Sequence, residues 1–234
     1  MKSETPIRKK LIGLFGGSFD PIHLGHTHLA QKILENYHFE KLFFLPAKQN
    51  PLKEKSTKAS ASLRLALIRA ALKETQEARF EIWDTELTRP GPSYTIETLQ
   101  EIQIQFPNRD YELVLILGNE VFAEFPRWKN PQGILRISNL CVVERISEKT
   151  ASTDDSLKQI GVKYSKSANF SNRIETEFSH WIEKVSIDAL PYSSTEVRKN
   201  ILKARDSKDL QNTPQGIQRS VWLLIKENQL YTVE

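Results

Sequence analysis

Two histidines, His23 and His26, stand three residues apart at the end of the run Gly16-Gly17-Ser18-Phe19-Asp20-Pro21-Ile22-His23-Leu24-Gly25-His26. On a helix that spacing puts both imidazoles on one face, from which both can donate to the oxygens of one phosphate. The run follows a short apolar stretch, Leu11 to Phe15, and opens a helical pattern, the layout of a strand, a tight turn and a helix start. Gly16 and Gly17 let the backbone approach a ligand closely, and the first amides of the helix point at an anion. Together these parts suit a triphosphate. The glycine pair alone says little, since such pairs end strands everywhere. His28 lies two residues beyond His26 and faces elsewhere, and no carboxylate or cysteine nearby completes an obvious metal-ligand set.

Three further stretches carry candidate residues. In Pro191-Tyr192-Ser193-Ser194-Thr195-Glu196-Val197-Arg198, Ser and Thr cap a helix that begins near Thr195, and Arg198 lies one turn inside, where its planar fork can meet phosphate. Ordinary N-capping explains the same hydroxyls, and both readings stay open. In Pro90-Gly91-Pro92-Ser93-Tyr94-Thr95-Ile96-Glu97-Thr98-Leu99, prolines and glycine fix a turn before a helix capped by Ser93 or Thr95. The run Ile116-Leu117-Gly118-Asn119-Glu120 leads to Phe125-Pro126-Arg127-Trp128, whose tryptophan also suits simple half-buried packing.

Something must hold these pieces together. Apolar runs at Leu11 to Phe15, Lys41 to Leu45, Phe80 to Trp83, Leu113 to Leu117, Leu140 to Val143 and Val185 to Ile187 read as strands. Helical spacing marks Gly25 to Tyr37, Ser62 to Glu74, Thr95 to Phe106, Thr195 to Ala204 and Ile217 to Gln229. This alternation predicts an α/β fold: a doubly wound parallel sheet, covered by helices on both faces, with the ligand crevice at the carboxyl ends of its strands. The 234 residues suit a single domain spanning 1–234. Two stretches interrupt the pattern. Lys48 to Ser60 is polar and lysine-rich and reads as a loop near the crevice. Ser147 to Asn172 reads as a polar surface insertion, with a short strand around Gly161 to Tyr164.

Composition excludes several classes of function. The hydrophobic share is 39% and mean hydropathy is −0.46, and no apolar run is long enough to cross a bilayer. Arg8-Lys9-Lys10 followed by Leu11 to Phe15 is too brief an apolar stretch for a secretory signal. The single cysteine, Cys141, excludes an intrachain disulfide and a cysteine-built zinc site and suits a reducing cytoplasm. A net charge of +4 with acidic and basic residues intermixed gives no reason to expect nucleic-acid binding. Oligomeric state is left open, a homo-oligomer included.

The Gly-Gly-Ser-Phe-Asp-Pro-Ile-His-Leu-Gly-His run resembles the signature of the nucleotidyltransferases related to class I aminoacyl-tRNA synthetases, marked by a His-x-Gly-His element. Within that superfamily the chain most resembles the bacterial nicotinate-nucleotide adenylyltransferases. The likeness covers almost the whole chain except the 147–172 insertion, and the family's fold is a doubly wound sheet. It implies transfer of AMP from ATP to nicotinate mononucleotide, giving deamido-NAD and pyrophosphate. Gly16, Gly17, Ser18, Phe19 and Asp20 then bind ATP. His23 and His26 face its alpha and beta phosphates, and Arg198 with Ser193, Ser194 and Thr195 holds the pyrophosphate portion. Tyr192 stands where the family has isoleucine. The backbone around Ser93, Tyr94 and Thr95 meets the carboxylate of the pyridine ring, Trp128 stacks on that ring, and Gly118 and Glu120 belong to the same substrate contacts. Lys53 matches the position that reaches the mononucleotide phosphate, and Arg145 is a weaker match in the family's Arg-Pro-Gly element. Mg2+ accompanies ATP, held by phosphate oxygens and water. Two departures stand out: Glu120 replaces an aspartate and Leu52 replaces a histidine. A sister enzyme acting on nicotinamide mononucleotide or phosphopantetheine, and a regulator that binds nucleotide without turnover, are the alternatives.

Overall fold

The computed structural model describes residues 9–49, 51–52, 57–145, 152–206 and 212–232; the side chains of Arg145 and Asp206 lie outside the description. Among the described residues eight strands form one sheet: β1 (Lys10–Gly17), β2 (Phe39–Pro46), β3 (Phe80–Ile82), β4 (Tyr111–Gly118), β5 (Asn139–Arg145), β6 (Tyr164–Lys166), β7 (Arg173–Thr176) and β8 (Trp181–Ile187). Their order is β3-β2-β1-β4-β5-β8-β7-β6. The six strands from β3 to β8 pair in parallel, and β7 and β6 add on antiparallel at one edge. Chain order reverses between β1 and β4, so the strand ends at Gly17 and Gly118 flank a crevice at the topological switch point.

Alternation along the central strands explains why both faces are covered. Leu113, Leu115 and Leu117 join one apolar cluster while Val114 and Ile116 join the other, and Leu140 and Val142 oppose Cys141 and Val143 in the same way. Cys141 is fully buried. On one face pack α1 (Leu24–Asn36), α2 (Ala61–Thr75), α8 (Ser194–Asp206) and α9 (Arg219–Glu227). The other face carries α4 (Thr95–Gln105), α6 (Pro131–Ile137) and α7 (Thr153–Ile160). No helix among the described residues is long and apolar enough to cross a membrane.

The principal elements fall where periodicity placed them, to within a few residues. The short α3 (Thr85–Thr88), α5 (Asn119–Ala123) and a 3-10 turn at Phe125–Arg127 had no period long enough to register. The described part of the expected insertion is more ordered than its composition suggested. Ser152 caps α7 by accepting from the Asp155 amide, and Gly161 ends that helix at φ 69°, so the short strand begins at Tyr164 instead of Gly161.

Candidate active site

The first half of the site forms where β1 runs out. His23 is the N-cap of α1, and its amide donates to Nδ1 of His26 at 3.3 Å. A neutral His26 that accepts at Nδ1 carries its proton on Nε2, ready to donate to a phosphate oxygen. The imidazole centroids lie 3.7 Å apart at 34°, and the Phe19 ring backs His26 at 5.0 Å. His23 is only 3% exposed whereas His26 is half-buried, so His26 presents the outward edge and His23 stands behind it. His28 turns away, pairing through Nε2 with the Asp188 carbonyl at 2.9 Å.

The second phosphate element, distant in the chain, docks directly on the first. Nη1 of Arg198 donates to the Asp20 carbonyl at 2.6 Å, and Ser194 Oγ donates to the Pro21 carbonyl at 3.1 Å. Gly25 permits this contact, because a Cβ there would come within 3.1 Å of the Tyr192 carbonyl and 3.0 Å of the His23 ring. The fork of Arg198 is thereby held three residues before His23, on the same turn.

Several side chains expected at the nucleotide make bonds within the protein. Ser193 caps α8, accepting from the Glu196 amide at 3.2 Å while its own amide and hydroxyl donate to the Glu196 carboxylate at 2.9 Å, so ordinary capping accounts for its hydroxyl. Thr195 accepts from Nη2 of Arg198 at 3.1 Å. Phe19 is buried among core residues. The Asp20 carboxylate is buried too, taking the amides of Lys58 (2.6 Å) and Ala59 (3.1 Å) and the Tyr231 hydroxyl (2.7 Å). What Phe19 and Asp20 can offer a ligand is backbone.

The other half is a cavity of about 780 Å³ below the ends of β1, β2 and β4. Gly16, Gly17 and Ser18 belong to its wall, and a Cβ on Gly16 would meet no atom within 4 Å, so backbone faces open space there. Ser93, Tyr94, Thr95, Glu120 and Trp128 all line it, and Leu52 stands at its rim. Gly118 is the N-cap of α5 at the end of β4 and, like Gly16, has nothing near its missing side chain. The α4 N-cap, Tyr94, makes no side-chain cap, and its carbonyl takes the Glu97 amide at 3.0 Å, so the Thr95 and Ile96 amides are those free of an intrahelical partner by position. Lys129 lies 4.1 Å over the Tyr94 ring while bonding Glu97 at 2.7 Å. Lys53 and the side chain of Arg145 lie outside the described residues.

Two buried groups that sequence reasoning passed over shape both halves. Arg64, 1% exposed, gives Nη1 to the carbonyls of Ser18 (2.6 Å) and Ala47 (2.8 Å), tying the turn after β1 to the loop after β2. Burial pulls its guanidinium below the ordinary arginine value, with the nearby Asp20 opposing. Its place on the apolar stripe of α2, in step with Leu67, Ile68 and Ala71, was the available signal. Glu86 lines the cavity and accepts from Thr98 Oγ1 at 2.7 Å. Burial pushes its carboxyl up from the usual range, and hydroxyl bonds from Thr98 and Ser93 act against that. Ser93 also accepts from the Lys48 amide at 2.9 Å and donates its own amide to the Gln49 carbonyl at 2.9 Å, joining the lysine loop to α4.

A switch-point crevice with imidazoles and a guanidinium on one side and a ring-sized cavity on the other defines a nucleotide-binding α/β protein of the phosphate-transferring kind. The sequence profile of the cytidylyltransferase-like family matches residues 14–200. A probable nicotinate-nucleotide adenylyltransferase from Clostridium tetani is 33% identical over 225 residues, covering 96% of this chain and 100% of that one. Its Aquifex aeolicus counterpart is 43% identical over 132 residues, covering 56% and 76%. Among solved structures, Plasmodium falciparum nicotinic acid mononucleotide adenylyltransferase complexed with NaAD shares the fold, with a TM-score of 0.66 at 19% identity over 96% of this chain and 98% of that one. The chain belongs to the cytidylyltransferase-like nucleotidyltransferases and, within them, to the nicotinate-nucleotide adenylyltransferases.

Proposed function

We propose that this enzyme transfers AMP from ATP to nicotinate mononucleotide, releasing pyrophosphate and forming the deamido dinucleotide. The observation that carries the reading is the docking of Arg198 onto Asp20, in the turn that leads from Gly16, Gly17 and Ser18 of the cavity wall to the paired rings of His23 and His26, with Trp128 lining the same cavity. An oxygen of the mononucleotide's 5'-phosphate attacks the alpha phosphorus of ATP. The new P–O bond forms as the bond to the bridging oxygen of pyrophosphate breaks. A phosphate monoester has a second pKa of about 6, so the nucleophile is already anionic at neutral pH and no general base is required. What remains is to align two polyanions and to neutralise the charge that collects on the leaving pyrophosphate.

In this reading Nε2 of His26, backed by His23, donates to the alpha and beta phosphates, and Arg198 meets the pyrophosphate portion. Lys53 is assigned to the mononucleotide phosphate. Trp128 faces the pyridine ring, and the first-turn amides around Tyr94 and Thr95 meet its carboxylate. Mg2+ accompanying ATP would be held by phosphate oxygens and water and would supply charge shielding there.

The test is pyrophosphate release from ATP with nicotinate mononucleotide, nicotinamide mononucleotide or phosphopantetheine as acceptor. Release with the nicotinate compound should exceed the others. Faster release with the amide, or none with any acceptor, would overturn the assignment.

A further inference from the structure

Tyr231 lies 211 residues from Asp20 in sequence, yet its hydroxyl donates to Oδ1 of Asp20 at 2.7 Å inside the protein. The tyrosine is 6% exposed and its ring belongs to the same core cluster as Phe19 and Ile22. Asp20 is therefore a junction. Its carboxylate gathers Tyr231 and the amides of Lys58 and Ala59, while its carbonyl takes Nη1 of Arg198. The adjoining carbonyl of Pro21 takes Ser194. Whatever fixes the Asp20 side chain fixes the peptide from which Arg198 hangs, and beyond it the start of α1 with its imidazoles.

We propose that Tyr231 is a positioning residue for the triphosphate half of the site, acting on Arg198 through Asp20. The inference rests on the reading of that half as the ATP site. Three donors from two separate segments converge on one buried carboxylate, far more restraint than a turn of this length needs to persist. Tyr231 bonds the site through that carboxylate and feels the charges of Arg198 and Arg64 nearby, whereas the cavity around Trp128 and Tyr94 is walled by other residues. Loss of its hydroxyl should therefore loosen one half and spare the other.

The experiment measures equilibrium binding of ATP and, separately, of nicotinate mononucleotide by calorimetry, on the full chain and on Tyr231→Phe, which keeps the buried ring. ATP affinity should fall by about tenfold, the scale expected of a small misplacement of a binding group, while mononucleotide affinity changes by less than about twofold. Asp20→Asn, which approaches the same contact from its partner and also disturbs the bonds to the Lys58 and Ala59 amides, should lower ATP affinity at least as much. Thr176→Val, which removes the part-buried hydrogen bond from Thr176 at the end of β7 to the His180 carbonyl, serves as a stability control and should leave both affinities alone. Unchanged ATP affinity in Tyr231→Phe and Asp20→Asn overturns the inference. So does an equal loss for both ligands, or a loss in Thr176→Val as large as in Tyr231→Phe, since each would mark a merely structural bond. Wild-type protein that binds ATP but releases no pyrophosphate overturns the functional reading alone, and the affinity comparison still decides the role of Tyr231. Wild-type protein that does not bind ATP overturns both.

Discussion

The phosphate half and the ring half of this site are built on opposite principles. Around Asp20, charged and polar side chains are knotted into the interior by hydrogen bonds of 2.6 to 3.1 Å, and Arg198 itself belongs to the knot. Around Trp128 the wall is mainly apolar, with Glu86, Glu120, Glu124, Arg127 and Lys129 also among its lining, and the edge expected to read the ring's carboxylate is backbone at the start of α4. A polyanion calls for preorganised cations, which a protein can hold still only with a scaffold of its own polar groups. A pyridine ring calls for shape, which apolar walls supply.

His26→Ala should produce the largest effect, since removing one donor from a preorganised charge-stabilising set lowers turnover by about a hundred- to a thousandfold. Steady-state kinetics beside a melting curve separate this from unfolding, and unchanged kcat in a folded variant breaks the phosphate half of the comparison. Arg198→Ala comes next. A charge-assisted hydrogen bond is worth about 1.5–3 kcal/mol, so KM for ATP should rise by about ten- to a hundredfold with KM for the mononucleotide little changed. Trp128→Ala should do the reverse and by less. Ring stacking contributes about 0.5–1.5 kcal/mol beyond burial, which predicts an increase of about two- to tenfold in mononucleotide KM while ATP KM holds.

The smallest expected effect concerns Glu86, whose carboxyl is pushed up by burial and makes no ion pair within 4.0 Å among the described residues. Its pKa is higher folded than unfolded, so the folded protein holds this proton more tightly. The stabilisation is fully present below the ordinary glutamate value and is lost as pH rises through the folded value. Glu86→Gln should remove that slope from a plot of melting temperature against pH, with stability at neutral pH shifted by no more than about 1 kcal/mol. An unaltered slope would show that this carboxyl does not set the acid response of the ring half.

The same contrast governs how much was legible beforehand. The turn from Gly16 to His26 carries its chemistry in consecutive residues, and strand, turn and helix start followed from local pattern. Arg198 was legible through its helix start, although the serine and threonine hydroxyls beside it cap and brace α8. Asp20 was placed at the nucleotide by resemblance alone, and the partners of its carboxylate, the amides of Lys58 and Ala59 and the hydroxyl of Tyr231, are too remote in sequence to be read locally. Glu86 was hidden, and Arg64 showed only as a polar letter on the apolar stripe of α2, for a related reason: burial is decided by packing between elements. Strand β6 was expected a few residues early and β7 escaped, because at three and four residues both are too short to show alternation.

The sulfur atom in the middle of β5 has a practical corollary. As the chain's one thiol, Cys141 is sealed within the sheet, and burial lifts its pKa to about 12, so almost no nucleophilic thiolate exists at neutral pH. Alkylating agents and peroxides find no handle on the native molecule, and none of the groups assigned to turnover is a sulfur. Any labelling that does occur reports strands parting from one another, which makes this atom a built-in clock for global opening.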